Sequence, residues 1–410
     1  MVSVPSFILA VATAVYGTEL LDRNLAYHSP FIGISDFSHD TRAIHARHVE
    51  LAKRQTVNNE GFSDEHYPTF YGGDFSNAPF IWSGGVNFTH SVASGDPFDT
   101  SVLLWTRAVP ASSTGPQPDQ SVPICLSFKI FNNPQLSGKA IDSGEAFTSY
   151  DVDFTLKVEA TGLKPDTKYW YQFADCINPK SVSPVGTTRT ISSPNTPANR
   201  VNGGKPLTLA VFSCSRFQDG YFNAYGVAAH NVTPDLFVHL GDYIYESLGN
   251  GARIGRQVLG RELATIADYR QRLNQYRTDE SLRFAHESGP WITVWDDHEV
   301  ADQSWKAGTA NSNDSTIGCG FSPSGSCFSD RKMAGVRAYH EWMPIRQVNV
   351  DDKLRIWRNF QIGKLLDAWD GYRANRNRIL NHLYDNHIDN TIVLSGDSHA
   401  NWVSDLARKS

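Results

Sequence analysis

Four apolar runs constrain this chain most, because each passes without a spacer into polar side chains of metal-ligand type. They span residues 207–212, 236–240, 292–295 and 391–394. The first leads into Ser213-Cys214-Ser215-Arg216 and the second into Gly241-Asp242-Tyr243-Ile244-Tyr245. The third leads into Asp296-Asp297-His298-Glu299 and the fourth into Gly396-Asp397-Ser398-His399. Short continuous runs of this kind read as strands buried on both faces. Helical patterns separate them, notably over residues 262–277 and 330–342. That alternation predicts an α/β domain, in which ligands bind where loops converge at the carboxyl ends of the strands.

Each motif also has an ordinary reading on its own. Gly-Asp after a strand is a turn or a helix cap, Asp-Asp-His-Glu is an acidic helix start, and a lone cysteine is a small hydrophobe. Four independent caps would not require His, Tyr and Cys among them, so the joint reading is a metal site. Arg216, beside Cys214, is either a phosphate contact or an exposed loop arginine.

Upstream, residues 101–106, 123–131, 154–158 and 168–173 are rich in β-branched and aromatic residues and are separated by turn formers. This pattern predicts a sandwich of antiparallel strands over 86–192. The run from Thr161 to Thr167, followed by Tyr169 and Tyr171, resembles the strand corner of fibronectin type III-like modules. The segment shows no titratable cluster and is expected to be structural. A Ser/Pro/Asn/Gly-rich stretch, 193–205, reads as a linker to an α/β domain over 206–410, and residues 1–85 read as a mostly irregular extension.

The net charge of -6, with no local cluster of Lys and Arg, gives no footprint for nucleic acid. An acidic protein acting on phosphates needs metal ions or local arginine to offset repulsion. Residues 7–15 resemble the apolar core of a signal peptide within a segment 1–17, although no Lys or Arg precedes it, and the run is too short to span a bilayer. Cys319 and Cys327 bracket a Gly/Ser/Pro loop and are candidates for one disulfide, and Cys125 and Cys176 for another, leaving Cys214 alone. Sequons at Asn87, Asn231 and Asn313 fit the same expectation of a secreted, endomembrane or cell-surface protein.

The ordered motifs resemble the alkaline phosphatase D (PhoD-like) family of the calcineurin-like metallophosphoesterase superfamily. The resemblance rests on the run from Phe88 to Pro97, Leu104-Trp-Thr-Arg107, Phe212-Ser-Cys-Ser215, His239-Leu-Gly-Asp-Tyr-Ile-Tyr-Glu246, Val294-Trp-Asp-Asp-His-Glu-Val300 and the run from Leu394 to Trp402. It implies a fibronectin III-like N-terminal sandwich and a metallophosphoesterase sheet flanked by helices. It also implies hydrolysis of phosphomonoesters or phosphodiesters by a metal-bound water. On this basis Cys214, Asp242 and Tyr245 would ligate iron, with Asp242 bridging to calcium. Asp297, Asp397 and His399 would complete the metal shell, and His298 would assist the leaving group. Manganese or zinc would suit the Asp and His ligands equally.

The chain departs from the family where residues 355–367 run directly into Ala368-Trp-Asp-Gly-Tyr372. Family members carry a long stretch between these pieces, with strands ending in Asp-Thr-Arg and Gly-Asn-Gln. The join falls at Leu366-Asp367-Ala368. Family members also continue with further strands after the equivalent of Trp402. The alternative expectation is therefore an impaired or inactive member that acts at most as a metal-binding or interaction module. A Cys/His hydrolase built on Cys214 is a weaker reading, because it gives Asp242, Tyr245 and Asp397 nothing to do.

Overall fold

The computed structural model describes residues 23–27, 82–111, 123–305, 307–347, 358, 360–362, 365–367 and 385. Seven strands come first: β1 (Val86–Gly95), β2 (Val102–Pro110), β3 (Ile124–Phe131), β4 (Asp142–Thr148), β5 (Thr155–Ala160), β6 (Lys168–Asp175) and β7 (Gly186–Arg189). Then follow β8 (Leu209–Phe212), helix α1 (Asn223–Val227), β9 (Leu236–His239), α2 (Ile266–Tyr276), α3 (Glu280–Ser288), β10 (Pro290–Thr293) and α4 (Phe328–Trp342). A short antiparallel pair, β11 (Phe360–Ile362) and β12 (Leu365–Asp367), closes the described chain.

One sheet has the order β4-β3-β6-β7 and is antiparallel throughout. It faces β1, β2 and β5 across one core that includes Val92, Leu104, Leu156, Leu126 and Tyr171. The disulfide Cys125–Cys176 ties β3 to the end of β6. The second sheet has the order β5-β2-β1-β10-β9-β8. Its β5, β2 and β1 are antiparallel, whereas β10, β9 and β8 run parallel, and the halves meet where Ser94 and Gly95 pair with Pro290 and Trp291. Gly95 permits that meeting, since a Cβ there would lie 2.4 Å from the Pro344 carbonyl and 2.6 Å from that of Trp291. The sandwich strands and the α/β strands thus share a sheet, although a composition change separates them in the sequence.

The stretch read as a linker is fastened. Arg189 at the end of β7 pairs with Asp235 at the start of β9, and Asn202 accepts from Arg189 (2.9 Å) and donates to Asp235 (3.1 Å). Within the N-terminal extension, Asn24 caps the sandwich by donating to the carbonyls of Phe147 and Thr155, and Ala26 and Tyr27 are buried.

Burial on both faces describes β9 and β10 but not β8, the edge strand among the described residues, whose Leu209 and Val211 are exposed on one face. The fourth expected strand, 391–394, lies outside the described residues. The two expected helices start at different residues from those the pattern implies. Helix α2 begins at Ile266 because Thr265 and Asp268 form a capping box, while Glu262 instead pairs with Arg331. Helix α4 begins at Phe328, with Cys327 at the N-cap and Asp330 receiving its amide.

The sandwich also holds titratable groups that its sequence pattern conceals. Where α4 crosses it, Lys157 is buried and donates to the carbonyls of His340 (2.7 Å) and Met343 (3.2 Å). Glu341 is buried between Arg270 and Arg337, and both arginines also reach the Asp151 carbonyl. Asp96 accepts from the Arg346 amide (2.7 Å) and from Arg358 (2.6 Å). The charged groups Lys157, Glu341 and Asp96 are therefore each paired at this joint, and removing one partner would leave a buried charge.

Burial depresses the Lys157 ammonium to about 7, against the raising influence of Asp96. The unfolded lysine keeps its proton to about 10.4. Between these values the unfolded chain binds the additional proton, so Lys157 makes stability rise with pH, by up to about 1.4 kcal/mol per pH unit. Lys157→Met removes this dependence. Urea unfolding at pH 7 and pH 9 is expected to show the wild-type chain gaining stability relative to the variant, and an unchanged difference would refute the assignment.

Candidate active site

The parallel strands β8, β9 and β10 end on the same side of the sheet, so the loops that follow them converge. Cys214 donates its amide to the Gly241 carbonyl (3.2 Å) and Ser215 donates to that of Asp242 (2.8 Å), which joins the first loop to the second. Gly241 has φ 105° and lies against the third loop, where a Cβ would sit 2.6 Å from both Cβ and N of Asp296. Glu299 fastens the second and third loops from beneath. Its buried carboxylate accepts from the amides of Tyr243 (2.5 Å), Asp242 (3.2 Å) and Asp296 (2.8 Å). Burial pushes the Glu299 carboxyl up to about 8, with the Tyr243 hydrogen bond opposing it.

Below the first loop, Ser215 Oγ, His239 Nε2 and Tyr225 Oη form a closed buried triangle, with Ser215–His239 at 2.9 Å and His239–Tyr225 at 3.0 Å. Burial holds His239 down at about 3, so its imidazole is neutral. This support fixes a loop whose backbone is unusual. Cys214 and Asp242 both adopt left-handed conformations, with φ of 58° and 55°, and Gln303 does the same at 56°. Asp tolerates that region better than Cys, so hydrogen bonding must hold Cys214 there.

The expected ligands fall into two overlapping groups. Tyr245 donates to Asp242 Oδ2 (3.0 Å) and is hydrogen-bonded to Cys214. Burial raises the Tyr245 phenol, and the charges of Asp242 and Cys214 raise it further, so without a cation it keeps its proton. In the second group, ligand atoms of Asp242, Asp297 and His298 lie within 4.8 Å of one another. Asp242 belongs to both groups. One oxygen of each carboxylate, Oδ1 of Asp242 and Oδ1 of Asp297, is buried without a hydrogen-bond partner. Buried carboxylate oxygens without partners are costly unless a cation occupies the site, so the residues fit a bound metal. Asp397 and His399 lie outside the described residues.

His298 Nδ1 sits 2.7 Å from Glu246 Oε2, and Glu246 Oε1 accepts from the Asp302 amide (3.2 Å). Burial works to lower His298, but the Glu246 hydrogen bond and charge, followed by the charges of Asp242 and Asp297, hold it up at about 9. Glu246 is lowered; burial opposes this, and the His298 hydrogen bond prevails. The pair is therefore a carboxylate–imidazolium at neutral pH. Arg216 is 40% exposed, lies 3.5 Å from Asp219 and stands over the Tyr245 ring at 5.4 Å, at the edge of the first group. Beyond Asp297, an open cleft of ≈ 560 Å³ is lined by Asp296, Gln303, Ser304, Trp305 and Thr309 as well.

The family model described as PhoD-like phosphatase matches residues 209–368 and 365–410, and the PhoD-like phosphatase N-terminal domain model matches 77–192. The chain belongs to the PhoD-like phosphatase family. The two pieces of the first match meet at 365–368, at the Leu366-Asp367-Ala368 join and within β12. Alkaline phosphatase D of Bacillus subtilis (strain 168) is 29% identical, the match covering 78% of this chain and 65% of that protein. A solved structure of PhoD aligns with a TM-score of 0.55 and 33% identity, over 70% of this chain and 51% of the solved one. The chain thus spans between about half and two thirds of the length of these relatives. A purple acid phosphatase from yellow lupin seeds aligns at 10% identity with a TM-score of 0.39, over 74% of this chain and 49% of its own.

Sequence reasoning assigned no role to Glu246, Glu299, Gln303 or Trp305. Glu246 and Glu299 stand inside the quoted motifs, but nothing local shows that Glu246 meets a histidine 52 positions away. Glu246→Gln removes the charge that holds His298 up. In NMR titration of the metal-free protein, His298 is expected to titrate near 9, and in the variant to fall by roughly one to three pH units. An unshifted titration would show that Glu246 does not hold the proton on His298.

Proposed function

We propose that this chain is a metal-dependent phosphoesterase that hydrolyses phosphomonoesters, phosphodiesters or both. The observation that carries this reading is the meeting of Asp242, Asp297 and His298 within 4.8 Å, with a partnerless buried oxygen on each carboxylate. Cys214, Asp242 and Tyr245 would hold an iron ion, because thiolate and phenolate are electron-rich anionic donors. Asp242 and Asp297, with Asp397 and His399, would hold a second ion, for which calcium, manganese or zinc fits oxygen and nitrogen ligands. Bound cations would supply charge neutralisation of the phosphoryl oxygens and activation of water.

The remaining roles fall to the chain's own groups. His298, kept protonated by Glu246, is positioned to give a proton to the departing oxygen. Arg216 would add a bidentate contact to phosphate on releasing Asp219, to which it is held only at 3.5 Å. Glu299 keeps the Asp242 and Asp296 backbones in register, so that the ligands need little rearrangement when a metal binds.

The same proposal extends to context. A fibronectin III-like identity for residues 86–192 is supported by the three-plus-four strand arrangement and by Tyr169, whose hydroxyl accepts from the Lys164 amide (2.7 Å). Secretion or endomembrane residence is supported by the disulfides Cys125–Cys176 and Cys319–Cys327. No described helix is long and apolar enough to cross a membrane. A second reading, a member of the family that binds metal without turnover, is favoured by the join at 365–368.

Metal analysis, visible absorption and turnover of p-nitrophenyl phosphate and its bis-ester separate the two readings. Bound iron, a tyrosinate-to-iron band and hydrolysis are expected. Cys214→Ala is expected to lose both iron and the band, with activity reduced at least 100-fold, about 2.7 kcal/mol of barrier. A colourless, inert wild-type protein supports the second reading, and a fully active Cys214→Ala protein refutes the iron assignment.

A further inference from the structure

We propose that Trp305 is the specificity-determining wall of the substrate cleft, taking the flat aromatic portion of the phosphoester's alcohol. The proposal rests on the phosphoesterase reading above. The large tryptophans of the core, Trp105, Trp291 and Trp342, are fully buried, whereas Trp305 leaves 65% of its surface to solvent. It does so inside the cleft that Asp297 also lines. An indole exposed in a cleft that Asp297 also lines has an apolar face ready for a ligand whose phosphoryl end would lie at the cation held by Asp297.

The indole stands on a turn built to hold its place. The Gln303 amide donates to Asp297 Oδ2 at 2.5 Å, which links the start of the turn to the site. Trp305 donates its amide to the Gly308 carbonyl (2.9 Å), and Gly308 bridges on to Asn313. Arg331 of α4 then reaches Asn311 Oδ1 (2.9 Å) and Ser312 Oγ (3.1 Å), while the disulfide Cys319–Cys327 closes the return to α4. The turn that carries Trp305 is therefore tied to the Asp297 carboxylate and braced from α4, and a substrate is gripped at both ends without ordering a loop.

The other cleft walls decide the chemistry of the occupant. Gln303, Ser304 and Thr309 carry amide and hydroxyl groups, so a long acyl chain would bury them unpaired. A planar ring with polar edges satisfies both the indole face and these groups. An aryl phosphate and a nucleoside phosphate share that chemistry, whereas a glycerol or alkyl phosphate has no flat face to offer.

The metal-loaded full-length protein tests this with p-nitrophenyl phosphate, adenosine monophosphate and glycerol phosphate. The kcat/KM ratio of each flat substrate over glycerol phosphate is expected to fall roughly tenfold or more in Trp305→Leu, and to survive within about threefold in Trp305→Phe. A fall confined to the nucleotide identifies a nucleoside site, and a fall confined to the aryl ester identifies an aryl site. Calorimetric binding of phenylphosphonate against methylphosphonate reads the same preference without turnover, and Trp305→Leu should abolish it. Ratios unchanged in Trp305→Leu, or lost equally in both variants, overturn the proposal while leaving the phosphoesterase reading intact. A wild-type protein that hydrolyses neither these three monoesters nor bis(p-nitrophenyl) phosphate removes that reading and this proposal together.

Discussion

The buried carboxylate of Glu299 is the contact on which the site's geometry depends. It accepts three backbone amides from two loops that are 54 positions apart in the chain, those of Asp242, Tyr243 and Asp296. Backbone amides fixed in this way place Asp242 and Asp297 opposite one another before any ligand arrives. The close approach of Gly241 to Asp296 has the same effect, since no side chain separates the loops. Without Glu299 the amides of the buried Asp242 and Tyr243 would be left unpaired, at about 1–3 kcal/mol each. An aliphatic residue there would fill the volume and lose the register.

The sandwich braces the α/β strands. By pairing β1 with β10 it completes the sheet on the side away from β8 and sets the strand whose end carries Asp297 and His298. The polar joint under α4, with Lys157, Glu341 and Asp96 all buried, locks the helix that in turn supports the Trp305 turn through Arg331. Stability and site architecture are coupled here, because α4 touches the sandwich on one side and the cleft loop at its start.

Two features of the site are in tension, and the tension is informative. A phenol raised by burial and by two nearby anions is a poor ligand until a cation arrives, while Asp242 and Asp297 each keep an oxygen without a partner. The metal-free arrangement is thus electrostatically unfavourable in the manner of a site assembled for positive charge. Asp242, itself raised by burial although His298 and Tyr245 oppose it, stands between the two ligand groups. Asp242 follows Gly241 and itself has a φ of 55°, a backbone that few residues adopt.

Much of this was legible in the chain. Apolar runs passing into Cys214, Asp242, Asp297 and His298 marked the strand ends, because strand periodicity is a local property, and the longer ordered motifs carried the resemblance to the family. The disulfides followed from the position of the cysteines relative to their strands and loop. Only tertiary structure decided that 193–205 is fastened rather than flexible, that the sandwich and the α/β strands form one sheet, and that β8 is exposed on one face. It also decided the partners of Glu246 and Glu299 and the placing of Trp305 in the cleft that Asp297 lines. Those depend on contacts between distant segments, and no local pattern records which buried carboxylate will face which amide or imidazole.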